Sequence, residues 1–336
     1  MENGLTVERL RSRHELHRPT GQAQTRGLTS PRRPRMCDTF SDLLKQYIEE
    51  HLKGRSSFKK MSFVASQWAL HCASTPTRAQ LLQRQQSICQ GHYEKGATKA
   101  NTELALIRAA CRWGIYRERW TGGDPTVGIR KLKTPKRMRM GKQEELKALL
   151  TYFAGAITPV EIRDRALYGL MLFTGCRPGE ARMAKLEAIT PYGQMGSWQK
   201  GKTKNGQTQE LPLPAQYMPW LAAWKAIRPV STSLYLFPGQ RLDEPMTCDA
   251  VKLRWHETRL ILKIYGLWNY DLRRTLVNVM GNELGYDMHT IKAIINHYEG
   301  SALGHYYFKS FDSLTKPMQR YADWLMGLQE ASHEPL

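Results

Sequence analysis

Acidic residues are scarce in this chain of 336 residues, where 30 Asp and Glu face 50 Lys and Arg and leave a formal charge of +20. A surplus of that size favours a polyanionic partner, nucleic acid first and an anionic membrane surface second, and says nothing about fold. The acids that are present form no cluster spaced for two Mg²⁺ ions, as a metal-dependent nuclease would need. Cysteine offers no metal module either. The six residues Cys37, Cys72, Cys89, Cys111, Cys176 and Cys248 are scattered, with no CxxC and no Cys/His cluster at zinc spacing. They read mostly as small buried apolar residues in a reducing compartment. No run reaches the roughly eighteen consecutive apolar residues of a spanning helix. Arg9, Arg11, Arg13, Arg18 and Arg26 interrupt any signal-peptide pattern, and there is no internal repeat. The expectation is a soluble, cytoplasmic, DNA- or RNA-associated protein, long enough for two domains, with no membrane partner.

Residues 1–38 are polar and arginine-rich and close on "SPRRPR". They read as a flexible tail, either a solvated leader or an arm that contacts DNA. From Thr39 the apolar residues Phe40, Leu43, Leu44, Tyr47 and Ile48 recur at helical spacing. A long helix fits "ATKANTELALIRAACRWGIYRERW", with Leu104, Ile107 and Cys111 on one side, before "TGGDPTVGI" breaks it. Residues 39–130 are thus expected to form a small helical domain, and the basic stretch 131–143 an extended linker. The second domain is expected over 144–328, followed by a short tail, 329–336. It holds a predicted amphipathic helix, "EIRDRALYGLMLFTG", with Ile162, Ala166, Leu170 and Met171 on one face and Gly175 as its stop. Asn205-Gly206 between strand-like flanks predicts a β-hairpin. Helices resume with "YDLRRTLVNVMGNELG", "MHTIKAIINH" and "PMQRYADWLMGL".

Four places in this second domain carry chemistry. "TGCRPGEAR" puts Arg177 just past a helix end, with Glu180 three residues on; a cap with solvated arginines is the plain alternative. "KTKNG" offers Lys202 and Lys204 beside the hairpin turn. "YDLRRT" sets Arg273 near the buried edge of a helix whose stripe is Leu272, Leu276, Val279 and Met280, so its guanidinium is expected to need an acidic or phosphate partner. "INHYEG" ends a helix on His297, which serves equally well as a cap, and "GHYYFKS" follows with Tyr306 and Tyr307.

Taken in order, these motifs resemble the catalytic domain of the tyrosine recombinase (phage integrase) family over roughly 145–328. The resemblance implies a mainly α fold with a small β-sheet, a two-domain clamp on duplex DNA made of a helical core-binding domain and a catalytic domain. It implies no cofactor and no metal. Arg177 and Arg273 would clamp the scissile phosphate and His297 would hydrogen-bond it. Lys204, eight residues before Pro212, would be the general acid, and Glu180 would orient its neighbours. Tyr306 would be the nucleophile, with Tyr307 a packing or DNA-facing neighbour. One departure stands out: Tyr270 occupies the usual histidine position, and a phenol donates a hydrogen bond but takes up no proton near neutral pH. By analogy with single oxyanion donors, that change would slow chemistry by about tenfold to a thousandfold.

The physical logic agrees with the resemblance. Metal-free cleavage of a phosphodiester needs cations on the non-bridging oxygens, and arginine forks suit phosphate. Tyrosine needs a basic site that favours its phenolate, and a lysine among arginines has the lowered pKa of a proton donor. The family further implies action as a homotetramer on paired DNA sites, through a Holliday junction, with accessory bending or directionality factors as further partners. The stripe from Met318 to Leu328 fits either a neighbouring protomer or the chain's own core. A mobile-element integrase is the expected task. The rivals are a type IB topoisomerase, a DNA-binding or architectural protein on a catalytically degraded recombinase scaffold, and an RNA-binding helical protein.

Overall fold

The computed structural model describes residues 36–71, 74–90, 93–201, 208–229, 233–297 and 310–330. Contacts divide the chain into two compact units, one ending at Lys136 and one beginning at Arg137.

The first unit is helical. Thr39 caps α1 (Phe40–Gln46) through a reciprocal pair with Asp42, and a π-helical turn, Tyr47–Leu52, continues it. Helices α2 (Phe58–His71), α3 (Arg78–Cys89) and α4 (Tyr93–Tyr116) follow. Phe40, Leu43, Leu44, Ile107 and Cys111 share one core with Trp113 and Trp120. The long helix ends at Tyr116, short of the predicted "RERW". The segment beyond it is more than a breaker. Arg108 of α4 donates to the Thr126 hydroxyl (3.0 Å) and the Ile129 carbonyl (2.8 Å), which draws Trp120 and Ile129 into the core.

The second unit is built around α6 (Pro159–Thr174). Its helical period predicted one buried face, but from Ala166 to Thr174 every residue is buried. It packs against α5 (Gln143–Ala154), α8 (Met218–Ile227), α10 (Asp271–Asn278) and α12 (Phe311–Glu330). A helix covered on all sides is apolar all round, and its small amphipathic signal is the result. Two of the buried aromatics that close the core have their polar ends paired. Tyr168 donates to the Val251 carbonyl at 2.7 Å, and Trp255 to the Leu267 carbonyl at 2.9 Å. Between α6 and α8 lie the short α7 (Pro178–Arg182) and an antiparallel sheet in the order β1 (Ile189–Tyr192), β2 (Met195–Lys200), β3 (Gln209–Leu213). Helices α9 (Cys248–Ile261) and α11 (Met288–Ile294) complete the unit.

The hairpin register pairs Lys200 with Gln209, whereas a two-residue turn at Asn205-Gly206 would pair Lys200 with Leu211. The hairpin is present with its strands offset by two residues from that register, and the turn itself lies outside the described residues. So do Lys202, Lys204, Tyr306, Tyr307 and residues 1–35. Helix α12 begins at Phe311, ahead of Pro317, and Met318, Tyr321 and Leu325 are fully buried in the unit's own core. The terminal stripe is therefore occupied within the chain. No described helix is long and apolar enough to cross a membrane.

Candidate active site

Gly175 ends α6 in the left-handed conformation, φ +60°, and turns the chain so that Cys176 is buried and Arg177 emerges as the N-cap of α7. Three residues on, Glu180 reaches back. Its carboxylate accepts from the Arg177 backbone N–H at 3.0 Å and from the guanidinium Nη1 at 2.8 Å. One carboxylate thus serves both a backbone N–H at the helix start and an ion pair, which explains why R-x-x-E is a local unit. Burial works against the Glu180 charge, but Lys200 and Arg177 more than offset it and hold the carboxyl below its ordinary range. For Arg177, burial is likewise outweighed, here by Glu180 and by the nearby Tyr270 oxygen, so its pKa rises.

Arg273 lies in the first turn of α10 and is 5% exposed. Among the described residues its hydrogen bonds go to backbone carbonyls and not to an acidic side chain, which leaves the phosphate partner as the expectation. Nη1 donates to the Gly175 carbonyl at 3.1 Å and Nη2 to the Ile295 carbonyl at 2.6 Å. One side chain therefore ties the Arg177 turn and the turn beyond α11 to a single helix. Burial and the charge of Arg177 both lower its pKa, so the two guanidiniums repel across the same site. Two cations held close by neutral carbonyls and one carboxylate form a receptor for an anion.

The remaining candidates sit around this pair. Tyr270, 41% exposed, is the N-cap of α10, and the Arg274 guanidinium lies 5.3 Å from its ring centroid. His297 is exposed, beyond the end of α11 rather than at it, with its backbone N–H on the Lys292 carbonyl at 2.9 Å. The carbonyls of Ala293 and Ile294 accept from Gln209 Nε2 at 2.6 and 3.0 Å, which binds the base of the hairpin to the turn carrying His297. Lys204 and Tyr306 fall outside the described residues, so their placement rests on the sequence.

Three residues at the site escaped the sequence reading. Asp271 is fully buried at the start of α10, bonded by Arg137, Arg274 and the Trp268 N–H. Burial pushes its pKa up, but these donors hold it below the ordinary value. Arg137 thereby pins the start of the unit to the helix that carries Arg273, and Gly141 N–H adds a 2.8 Å bond to Thr275. An acid at a helix start beside two arginines was a readable signal for Asp271; its partner Arg137, 134 residues away, was not. The third is Lys200, whose amine is buried 3.9 Å from Glu180. Strand alternation from Trp198 would have put it on the inner face.

The phage integrase family model matches residues 140–313, just over half of the chain and a span that includes every candidate residue. No curated protein matches the chain. Among solved structures, the Tn1549 transposon integrase in complex with a circular intermediate DNA is similar, with a TM-score of 0.63 at 13% identity, covering 84% of this chain and 99% of that one. The XerH site-specific recombinase bound to its difH substrate gives 0.57 at 14%, covering 77% and 79%. A lambda integrase tetramer bound to a Holliday junction gives 0.58 at 15%, covering 79% of each chain. At such identities the likeness establishes the fold, a mainly helical architecture with a small sheet, while the family rests on the model match. This chain belongs to the phage integrase family and is a tyrosine-type site-specific recombinase.

Proposed function

We propose that this protein cuts and rejoins duplex DNA at specific sites through a 3′-phosphotyrosine on Tyr306, as the integrase of a mobile element. The observation that carries the reading is the convergence of Arg177 and Arg273 on one site, with Glu180 paired to the first and the second laced between two turns. In this reading the guanidiniums hold the two non-bridging oxygens of the scissile phosphate, where charge grows as the fifth bond to phosphorus forms. The Tyr306 oxygen bonds to phosphorus, the bond from phosphorus to the 5′-oxygen breaks, and Lys204 gives that oxygen its proton. The phenol proton leaves to a neighbouring base or solvent. His297 and Tyr270 hydrogen-bond the phosphate, and Glu180 fixes Arg177. Attack by a 5′-hydroxyl then reverses the step, so no external energy source is needed.

The partner is double-stranded DNA, which the charge of +20 favours. Because the similar lambda integrase structure is a tetramer bound to a Holliday junction, four copies of this chain on paired sites form part of the proposal, with accessory bending or directionality factors. The protein is then DNA-associated in the cell.

The test is covalent trapping. Full-length protein is incubated in EDTA with nicked duplex carrying the sequences that flank its gene, then denatured and resolved on a gel. The expected result is an adduct in wild type and in Tyr307→Phe, absent in Tyr306→Phe. Loss in Tyr307→Phe alone would move the nucleophile by one residue. No adduct on DNA that the protein binds would point instead to a DNA-binding protein on an inactive scaffold.

A further inference from the structure

From the burial of its amine beneath the Arg177–Glu180 pair, we infer that Lys200 is a positioning residue of the recombination reaction, acting on the phosphate clamp through Glu180. It rests on the tyrosine chemistry proposed above and adds a second lysine, distinct from Lys204, with a different task.

Lys200 is the last residue of β2 and is 3% exposed. Its Nζ lies 3.9 Å from Glu180 Oε2, too long for a hydrogen bond, and finds no hydrogen-bond partner among the described residues. The ring of Trp198, two residues earlier on the same strand face, has its centroid 4.9 Å away. An ammonium carries three donors, so burying it without hydrogen bonds is costly and calls for a reason.

The groups facing it supply one. Glu180 of α7 favours the ammonium. Arg177, at the start of α7, and Arg273 of α10 oppose it, as does burial, the largest influence, and its pKa falls below the ordinary lysine value. The neighbouring Cys176 thiol is pushed up to about 11 by burial, so at neutral pH it stays protonated and brings no charge. Among the described residues the cluster then holds three cations against one carboxylate.

Lys200 changes what Glu180 does to Arg177. With Arg177 as its sole cation, the carboxylate would cancel most of that guanidinium's field. Shared with Lys200, it orients Arg177 while leaving a surplus of positive charge for an incoming anion. A phosphodiester brings one negative charge, and its pentacoordinate transition state carries two. The surplus therefore stabilises the transition state more than the bound substrate, which is the condition for a gain in rate.

The experiment compares wild type, Lys200→Met and Lys204→Met, full length, in the trapping assay, alongside thermal unfolding and duplex binding. Methionine keeps the length and apolar contacts of the lysine stem and removes the charge. The expected result for Lys200→Met is adduct formation slowed at least tenfold, duplex affinity within twofold of wild type, and a melting temperature equal or higher, because a poorly paired buried charge has gone. A substrate with sulfur in place of the bridging 5′-oxygen, a leaving group that needs no proton, is expected to rescue Lys204→Met and leave Lys200→Met slow. Rescue of Lys200→Met would make Lys200 the acid and overturn the positioning role. So would an unchanged rate, or a rate and melting temperature that fall together, which would mark a structural residue. Absence of a wild-type adduct on bound DNA would instead defeat the underlying tyrosine chemistry.

Discussion

Arg273 commits two guanidinium nitrogens to the carbonyls of Gly175 and Ile295. Removing its side chain therefore does two things at once. Arg273→Ala abolishes the phosphate contact and also leaves two backbone acceptors unserved, at a cost of about 1–3 kcal/mol each where they stay dry. Arg177→Ala is milder for the fold, since Glu180 keeps the residue-177 backbone N–H at 3.0 Å and Lys200 at 3.9 Å. Both variants are expected to lose adduct formation, and denaturant unfolding should show the larger stability loss in Arg273→Ala. An equal or larger loss in Arg177→Ala would contradict this lacing role.

Among elements, the turn from α6 to α7 sets the site. Gly175 sits at φ +60°, where a side chain costs about 1–2 kcal/mol. A Cβ there would also meet Leu276 Cδ1 at 3.2 Å, and Leu276 is fully buried in the core. Gly175→Ala is thus expected to destabilise by about that amount in urea unfolding and to slow adduct formation, because the same turn presents Arg177 and the carbonyl that Arg273 grips. Stability equal to wild type would show that the turn relaxes freely. The glycine, the capping pattern of Arg177 and Glu180 and the helix starting near Asp271 are local features, and all could be read from adjacent residues. The full burial of α6 could not, since α8, α10 and α12, which cover it together with the adjacent α5, come from distant parts of the chain. The hairpin register differs for a related reason. Asn205-Gly206 favours a tight turn locally, yet Gln209 bonded to the carbonyls of Ala293 and Ile294, and Trp198, Leu211 and Leu213 in the core, anchor β3 where it is.

For the whole molecule, the excess of positive charge makes the ion-paired carboxylates the weak point in acid. Glu180 and Asp271 have folded pKa values below their ordinary 4.5 and 3.8. The unfolded chain then takes up protons first as the pH falls, so their stabilisation is complete above the ordinary values and is lost as pH drops through the folded ones. Protonating the other acids at the same time leaves 50 Lys and Arg to repel one another. The melting temperature is expected to hold to about pH 5 and fall steeply below pH 4.5. Glu180→Gln should start lower and show a shallower fall, and an unaltered slope would exclude Glu180 from the acid transition.

By itself the sequence determined the family, the mainly helical class with a small sheet, and the candidate residues Arg177, Glu180, Tyr270, Arg273 and His297. Those signals are carried by short windows, such as a cap, a helical stripe or a glycine stop, whose physics involves only near neighbours. Tertiary structure alone decided that Arg273 binds two carbonyls, that Arg137 locks Asp271, that α12 fills its own unit's core and that Lys200 lies under Glu180. Each of these joins parts of the chain far apart in sequence, and the cost of burying a charge, like the partners that offset it, exists only once those parts have come together.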